Sequence, residues 1–193
     1  LKLILDEMLE EAGCRVLFHT FTGGVHRERG RINFVTICNK DGLHRVEAKI
    51  YVDATGDGDI AFMAGASMTK GRETDGAAQP MTMNMKYANV DTEKLKAYIS
   101  SHIESFPVHK RNRKLMDTVR RFSFRGFDEE FRTANREGII DIPREDILCF
   151  ETDRKGEYIV NTTRVTSHDG TDAASLSDAE RIGRRQCSQL DAF

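Results

Sequence analysis

Val46-Glu-Ala-Lys-Ile-Tyr-Val-Asp-Ala-Thr-Gly-Asp-Gly-Asp-Ile-Ala-Phe-Met-Ala-Gly-Ala66 decides the fold. Residues 46–54 read as a buried strand, because Ile50, Tyr51, Val52 and Ala54 make a nearly continuous apolar run. Thr55-Gly56-Asp57-Gly58-Asp59 cannot continue it. Its two glycines suit positive φ or a close backbone approach, and its aspartates suit the cap of a following helix. Ile60 to Ala66 is small and apolar, which predicts a short helix packed on a sheet. Strand, glycine turn and helix N-terminus in this order would set exposed N–H groups where a phosphate or ribose can meet them.

Upstream, Leu3, Ile4, Met8, Leu9 and Ala12 recur at spacings of three and four, which predicts a helix over 2–12 ended by Gly13. Cys14 to His19 follows as a predicted strand. Helix, glycine, strand is half of a βαβ unit, whose first strand would precede Leu1. Residues 20–52 predict an antiparallel meander. Gly23-Gly24 is expected to break its first strand, Val25 to Arg29 to form a short one, and Ile32 to Ile37 the next. Glu28-Arg29-Gly30-Arg31 and Asn39-Lys40-Asp41-Gly42 are the turns.

Downstream, Lys70 to Gln79 is polar and glycine-containing, a predicted loop. Met81, Met83, Met85 and Tyr87 then alternate with polar residues, as in a strand with one buried face. Asp91-Thr92-Glu93 starts a predicted helix with Leu95, Tyr98, Ile99 and Ile103 on its apolar side, and Pro107 interrupts. Lys110 to Arg121 is basic and is expected to be a solvated helix face. Asp128 to Glu137 predicts a helix closed by Gly138. Ile147–Phe150 and Glu157–Val165 predict a hairpin, and the capping-box spacing Ser177-Asp-Ala-Glu180 predicts a helix to about Leu190. The whole reads as α+β, with α/β character in the first part. Residues 1–70 and 71–193 form two domains.

The 193 residues carry 39% apolar and 31% charged side chains and a net charge of −2. That balance implies no general attraction to nucleic acid or to membrane surfaces. No window approaches 18 consecutive apolar residues. The chain opens at Leu1 inside an amphipathic pattern, as expected of an internal piece of a longer protein. The compartment stays open, with the cytoplasm favoured. Cys14, Cys38, Cys149 and Cys187 lack C-x-x-C spacing and are expected to be free thiols, mostly buried, with no metal. An EF-hand reading of Asp53 to Gly58 fails because the twelfth loop position is Ala64, where a bidentate Glu is needed.

Val52-Asp-Ala-Thr-Gly-Asp-Gly-Asp59 resembles the second FAD fingerprint of glutathione-reductase-type flavoproteins: an apolar strand ending in Ala-Thr-Gly, then Gly-Asp. Gly71-Arg72-Glu73, Gln79-Pro80-Met81-Thr82, Asn161-Thr-Thr-Arg-Val165 and Gly170-Thr-Asp172 extend the likeness. In that order they resemble the FAD-dependent oxidoreductases related to fumarate reductase flavoproteins, across most of the chain. The resemblance implies a partial Rossmann-like FAD-binding domain with an inserted meander, then a substrate domain of antiparallel strands and helices. It implies FAD contacts from Thr22, Ala54, Thr55, Gly56 and Asp57. Arg72, Gln79, Asn161 and Arg164 become candidates to line a cavity over the flavin and meet a small, anionic or carbonyl substrate, since they donate to negative charge. His168-Asp169 is a weaker acid–base candidate, because neighbours on one loop seldom face each other.

The likeness is incomplete: no G-x-G-x-x-G occurs in the chain. The expected function is therefore part of a flavin-mediated hydride-transfer enzyme, with the 193-residue chain itself inactive, weak in FAD binding and prone to self-associate. The competing reading is a non-enzymatic α+β binding module, in which the Thr55–Asp59 turn only caps a helix.

Overall fold

The computed structural model describes residues 1–193, which divide into two compact units, Leu1–Thr69 and Lys70–Phe193. In the first, α1 (Lys2–Glu11) closes at Gly13, whose φ of +68° suits a residue without Cβ. The predicted stripe is present, yet none of its residues is buried. β1 (Phe21–Glu28), β2 (Arg31–Asn39) and β3 (Gly42–Val46) form an antiparallel sheet in that order. Arg29 and Gly30, both at positive φ, make the first turn tight, with Glu28 opposite Arg31. Gly23-Gly24 does not break β1. The strand passes through with a bulge, the register stepping from Thr22 opposite Ile37 to Gly24 opposite Thr36.

Two expected strands are absent. Residues 14–19 are not a strand, and the run expected over 46–54 stops at Val46, where β3 ends. An extended segment becomes a strand only when a neighbour takes its N–H and C=O groups, and none lies alongside either one. Val16, Leu17, Phe18, Ile50 and Val52 are all exposed. Tyr51 turns the second segment back on the meander. Its hydroxyl accepts from the Ala48 N–H at 2.9 Å and reaches the carbonyls of Asn33 (3.1 Å) and Val46 (3.3 Å). The chain then enters α2 (Asp59–Met63), which packs against β1.

The second unit holds a four-stranded antiparallel sheet. In chain order its strands are β4 (Met85–Tyr87), β5 (Ser123–Gly126), β6 (Ile147–Glu151) and β7 (Tyr158–Val160), arranged β4-β7-β6-β5. The β6–β7 hairpin is the expected one. The strand expected over 81–87 is shorter, because the Thr163 hydroxyl takes the place of a ladder partner: it accepts from the Met83 N–H at 2.7 Å and donates to the Met83 carbonyl at 2.8 Å. Met81 keeps a single bridge, to Val165. β5 is not among the expected strands, although Phe122, Phe124 and Gly126 alternate with polar residues and are buried.

Helices cover this sheet. α3 (Thr92–Ser101) starts where Asp91 accepts from the Lys94 N–H at 3.0 Å. Pro107 does not merely interrupt; it is the first residue of α4 (Pro107–Arg111). The basic stretch is split between α4 and α5 (Leu115–Thr118), with His109 and Met116 buried, so it forms no continuous cationic face. α6 (Asp128–Arg136) ends before Gly138, at φ +73°. α7 (Ala173–Ala192) begins a turn earlier than the capping-box reading. Asp172 is its cap, accepting from the Ser175 N–H at 2.7 Å, while Ser177 donates to the Ala173 carbonyl.

Two apolar clusters hold the unit together. Ile99, Ile103, Phe106, Phe122, Phe124 and Tyr158 lie in one, Phe131, Ile140, Ile142 and Leu190 in the other, and Met85 and Ile147 touch both. Burying each such phenylalanine contributes about 1.5–3 kcal/mol. β5 passes so close to the first cluster that a Cβ on Gly126 would lie 2.3 Å from the Phe106 ring.

Candidate functional site

The turn after residue 52 is organised by two side chains that point inward. The Asp53 carboxylate accepts from the Thr55 hydroxyl (2.7 Å), the Thr55 N–H (3.0 Å) and the Ala61 N–H (2.8 Å). The Thr55 hydroxyl in turn accepts from the Asp59 N–H at 2.8 Å. The Thr55 hydroxyl first, then the Ala61 amide, holds the Asp53 carboxyl below its ordinary range. Gly58, at φ +72°, turns the chain into α2. Asp53 and Thr55, not Asp57 or Asp59, therefore take the Asp59 and Ala61 N–H groups of α2, two of those expected to meet a phosphate.

The outward side of the same turn is bare. Ala54, Gly56 and Asp57 are exposed, and a Cβ built on Gly56 meets nothing within 4 Å. Gly56 does not have positive φ; in this turn that conformation belongs to Gly58. The Asp57 carboxylate makes no hydrogen bond or ion pair within the chain. Thr22 is half-buried on β1 at the bulge, opposite Ile37.

The four candidates in the second unit are not equivalent. Arg72 is tied to Asp75 of its own loop through two contacts of 2.6 Å, and that side-chain pairing raises the pKa of the guanidinium. Gln79 is exposed. Asn161 is half-buried after β7 and donates its backbone N–H to Leu148. Arg164 alone lines a cleft, of about 640 Å³, with Arg125, Arg132, Arg144 and Asp146 among its other walls. Its main chain is clamped by Gln186 of α7, which accepts from the Arg164 N–H at 2.8 Å and donates to its carbonyl at 2.9 Å. Gln186 is buried, and nothing in its local sequence marks it out.

Asp146, 3% exposed, pairs with Arg125 and, at 3.5 Å, with Arg144. His168 and Asp169 do not pair with each other. His168 meets Asp178 at 3.2 Å, and Asp169 meets Lys70. The hydrogen bonds to the Thr166 carbonyl and then to Asp178 raise the His168 pKa. The Lys70 side chain, then Thr171, pulls the Asp169 pKa down to about 2. The four free cysteines are not mostly buried as expected: Cys14 and Cys38 are exposed, Cys187 is half-buried, and Cys149 is buried, where burial pushes its thiol up to about 12, an inert setting. No group of three or more His, Cys, Asp or Glu side chains is placed to hold a metal ion, and no helix is long and apolar enough to cross a membrane.

No curated protein and no solved structure matches the chain. The family model described as FAD dependent oxidoreductase matches it over residues 1–193. A match of that extent, over a chain that carries Ala54-Thr55-Gly56-Asp57 on an exposed turn before α2, places this α+β protein in the FAD dependent oxidoreductase family, whose chemistry is flavin-linked redox.

Proposed function

We propose that the chain is part of an enzyme that moves hydride between FAD and a small organic, anionic substrate, with Leu1–Thr69 contributing to the cofactor hold and Lys70–Phe193 to substrate binding. The observation that carries this is the division of labour within the 53–59 turn. Asp53 and Thr55 lock the turn from inside, so Ala54 and Gly56 present only small groups outward. A dinucleotide can then approach the backbone closely, as this fingerprint requires.

The residues fit part of FAD. Asp57 is exposed and free to accept hydrogen bonds from cofactor hydroxyls. At the α2 N-terminus the Asp59 and Ala61 N–H groups are already taken by Thr55 and Asp53, which leaves it poorly suited to the pyrophosphate. Thr22 would contribute backbone groups from the β1 bulge. When bound, the flavin supplies the redox chemistry, and the protein binds and orients both partners. Of the substrate candidates, Arg164 suits an anion best, since its backbone is fixed and its side chain has no carboxylate partner. Arg72 is already satisfied by Asp75; Asn161 and Gln79 would add amide contacts.

The 193-residue chain should bind FAD weakly and show no turnover. It has no G-x-G-x-x-G turn to hold the pyrophosphate. Lacking even two charge-assisted hydrogen bonds, at about 1.5–3 kcal/mol each, weakens binding by about two to four orders of magnitude. Titration with FAD, followed by flavin fluorescence, tests this; stoichiometric submicromolar binding would overturn it. The site itself is tested by Gly56→Val in a longer form of the protein that retains flavin. Gly56 has neither positive φ nor a near neighbour, so the fold should survive while FAD is lost. Unchanged flavin content with unchanged circular dichroism would refute the assignment.

A further inference from the structure

We propose that the cleft walled by Arg125, Arg132, Arg144 and Arg164 is a binding site for one compact oxyanion, a carboxylate or phosphate group carried by a small molecule. It shares Arg164 with the reading above, but it needs no flavin and stands on the cleft alone.

Its volume, about 640 Å³, suits a small metabolite. The four arginines are not equally occupied. Arg125 and Arg144 share the buried Asp146 carboxylate, which fixes that wall. Arg132, on α6, and Arg164, after β7, also line the cleft, and no carboxylate pairs with either. A planar guanidinium carries five N–H donors in a fixed fork that matches an oxyanion, so these two are the receiving groups. Gln186 clamps the Arg164 backbone on both sides. Asn135, also in the lining, accepts from the Ile142 N–H at 3.0 Å, which ties α6 to the segment after it. The site is thus built before any ligand arrives.

Charge sets the size of the ligand. The cleft is lined by four arginines and by Asp141, Glu145 and Asp146, and the half-buried Asp128 carboxylate acts on Arg125 and Arg132 from beside it. Asp141 and Glu145 are exposed at the rim and repel an extended polyanion. The two unpaired guanidinium groups between these carboxylates therefore suit one compact anionic group better than an extended polyanion.

The 193-residue chain is to be titrated with succinate and, separately, with inorganic phosphate at constant ionic strength, following backbone amide NMR shifts. Saturable binding of at least one probe is expected, with shifts centred on residues 132–146 and 164. The tighter probe identifies the carrier chemistry. Arg132→Gln and Arg164→Gln should each weaken binding about tenfold, the effect of one charge-assisted hydrogen bond. Arg184→Gln, on α7 away from the cleft lining, should leave it unchanged. Arg132 is exposed, so its replacement leaves the fold intact and serves if Arg164→Gln does not fold. Linear, non-saturating shifts for both probes, or unchanged affinity in Arg132→Gln, would overturn the proposal. Because no FAD is present, failure here leaves the flavin assignment standing, and failure of that assignment leaves this site standing.

Discussion

In Leu1–Thr69 one apolar side chain, Val35, is buried, whereas in Lys70–Phe193 two clusters close around Phe106, Phe122 and Phe131. Composition does not explain the difference. Leu3, Ile4, Leu17, Phe18, Ile50 and Val52 are as apolar as anything in the second unit, yet all are exposed. Patterning only selects which side chains want cover. Cover itself needs a second layer, and a three-stranded meander with two helices supplies little of it. The second unit has that layer, with α3, α6 and α7 as well as a four-stranded sheet.

The largest expected contrast is in local opening. Amides of Val16, Leu17, Ile50 and Val52 have no partner strand, while β6 and β7 lie inside their sheet. Hydrogen exchange should be faster at the first set by roughly a thousandfold or more. Equal protection would mean that residues 14–18 and 50–52 find cover in solution. Self-association of the chain through those surfaces would do this, and sedimentation at several concentrations would reveal it.

Side-chain truncation gives the next contrast. Phe131→Ala, at a fully buried site, should cost about 3–5 kcal/mol in urea unfolding. Leu17→Ala, at an exposed one, should cost under about 0.5 kcal/mol. A large loss at Leu17 would break the comparison.

Gln186→Leu should cost about 1–3 kcal/mol, because it leaves the N–H and C=O of Arg164 without partners. Any anion affinity of the cleft should fall with it. Unchanged stability would mean that water replaces the amide.

The smallest effect is in pH dependence. His109 is 1% exposed, its Nδ1 has no partner, and burial lowers its pKa below the ordinary 6.5, a bond with the Ser123 backbone opposing in part. A group lowered in the folded state gives its full contribution above its unfolded value and loses it as pH falls toward the folded one. Unfolding at pH 7 and pH 5 should therefore differ less in His109→Phe than in the unaltered chain. An identical difference would show that His109 does not titrate in this range.

Much of the architecture was legible in local pattern. α1, the Arg29-Gly30 turn, α6 with its Gly138 stop and the β6–β7 hairpin follow from periodicity, caps and turn residues, all short-range effects. The two misread strands share one cause. The strand read over 46–54 has the right residues but no neighbour to bond, and β4 is shortened by the hydroxyl of Thr163, a residue far along the chain. The candidate site divides in the same way. Ala54-Thr55-Gly56-Asp57 could be picked out as a motif, but that Asp53 and Thr55 would occupy the α2 amides could not, because the competition between self-capping and ligand binding is settled by three-dimensional reach.

By itself, then, the sequence determined the α+β class, the flavoprotein resemblance and most helices, because each rests on residues close together in the chain. The tertiary structure alone decided which arginines are free. Arg72 and Arg164 read alike in sequence. Asp75 lies three residues from the first, whereas the second is held by Gln186, 22 residues on, in a cleft whose other arginines come from β5, α6 and the segment before β6. An arginine's availability depends on which carboxylate reaches it first, and that is a property of the folded chain.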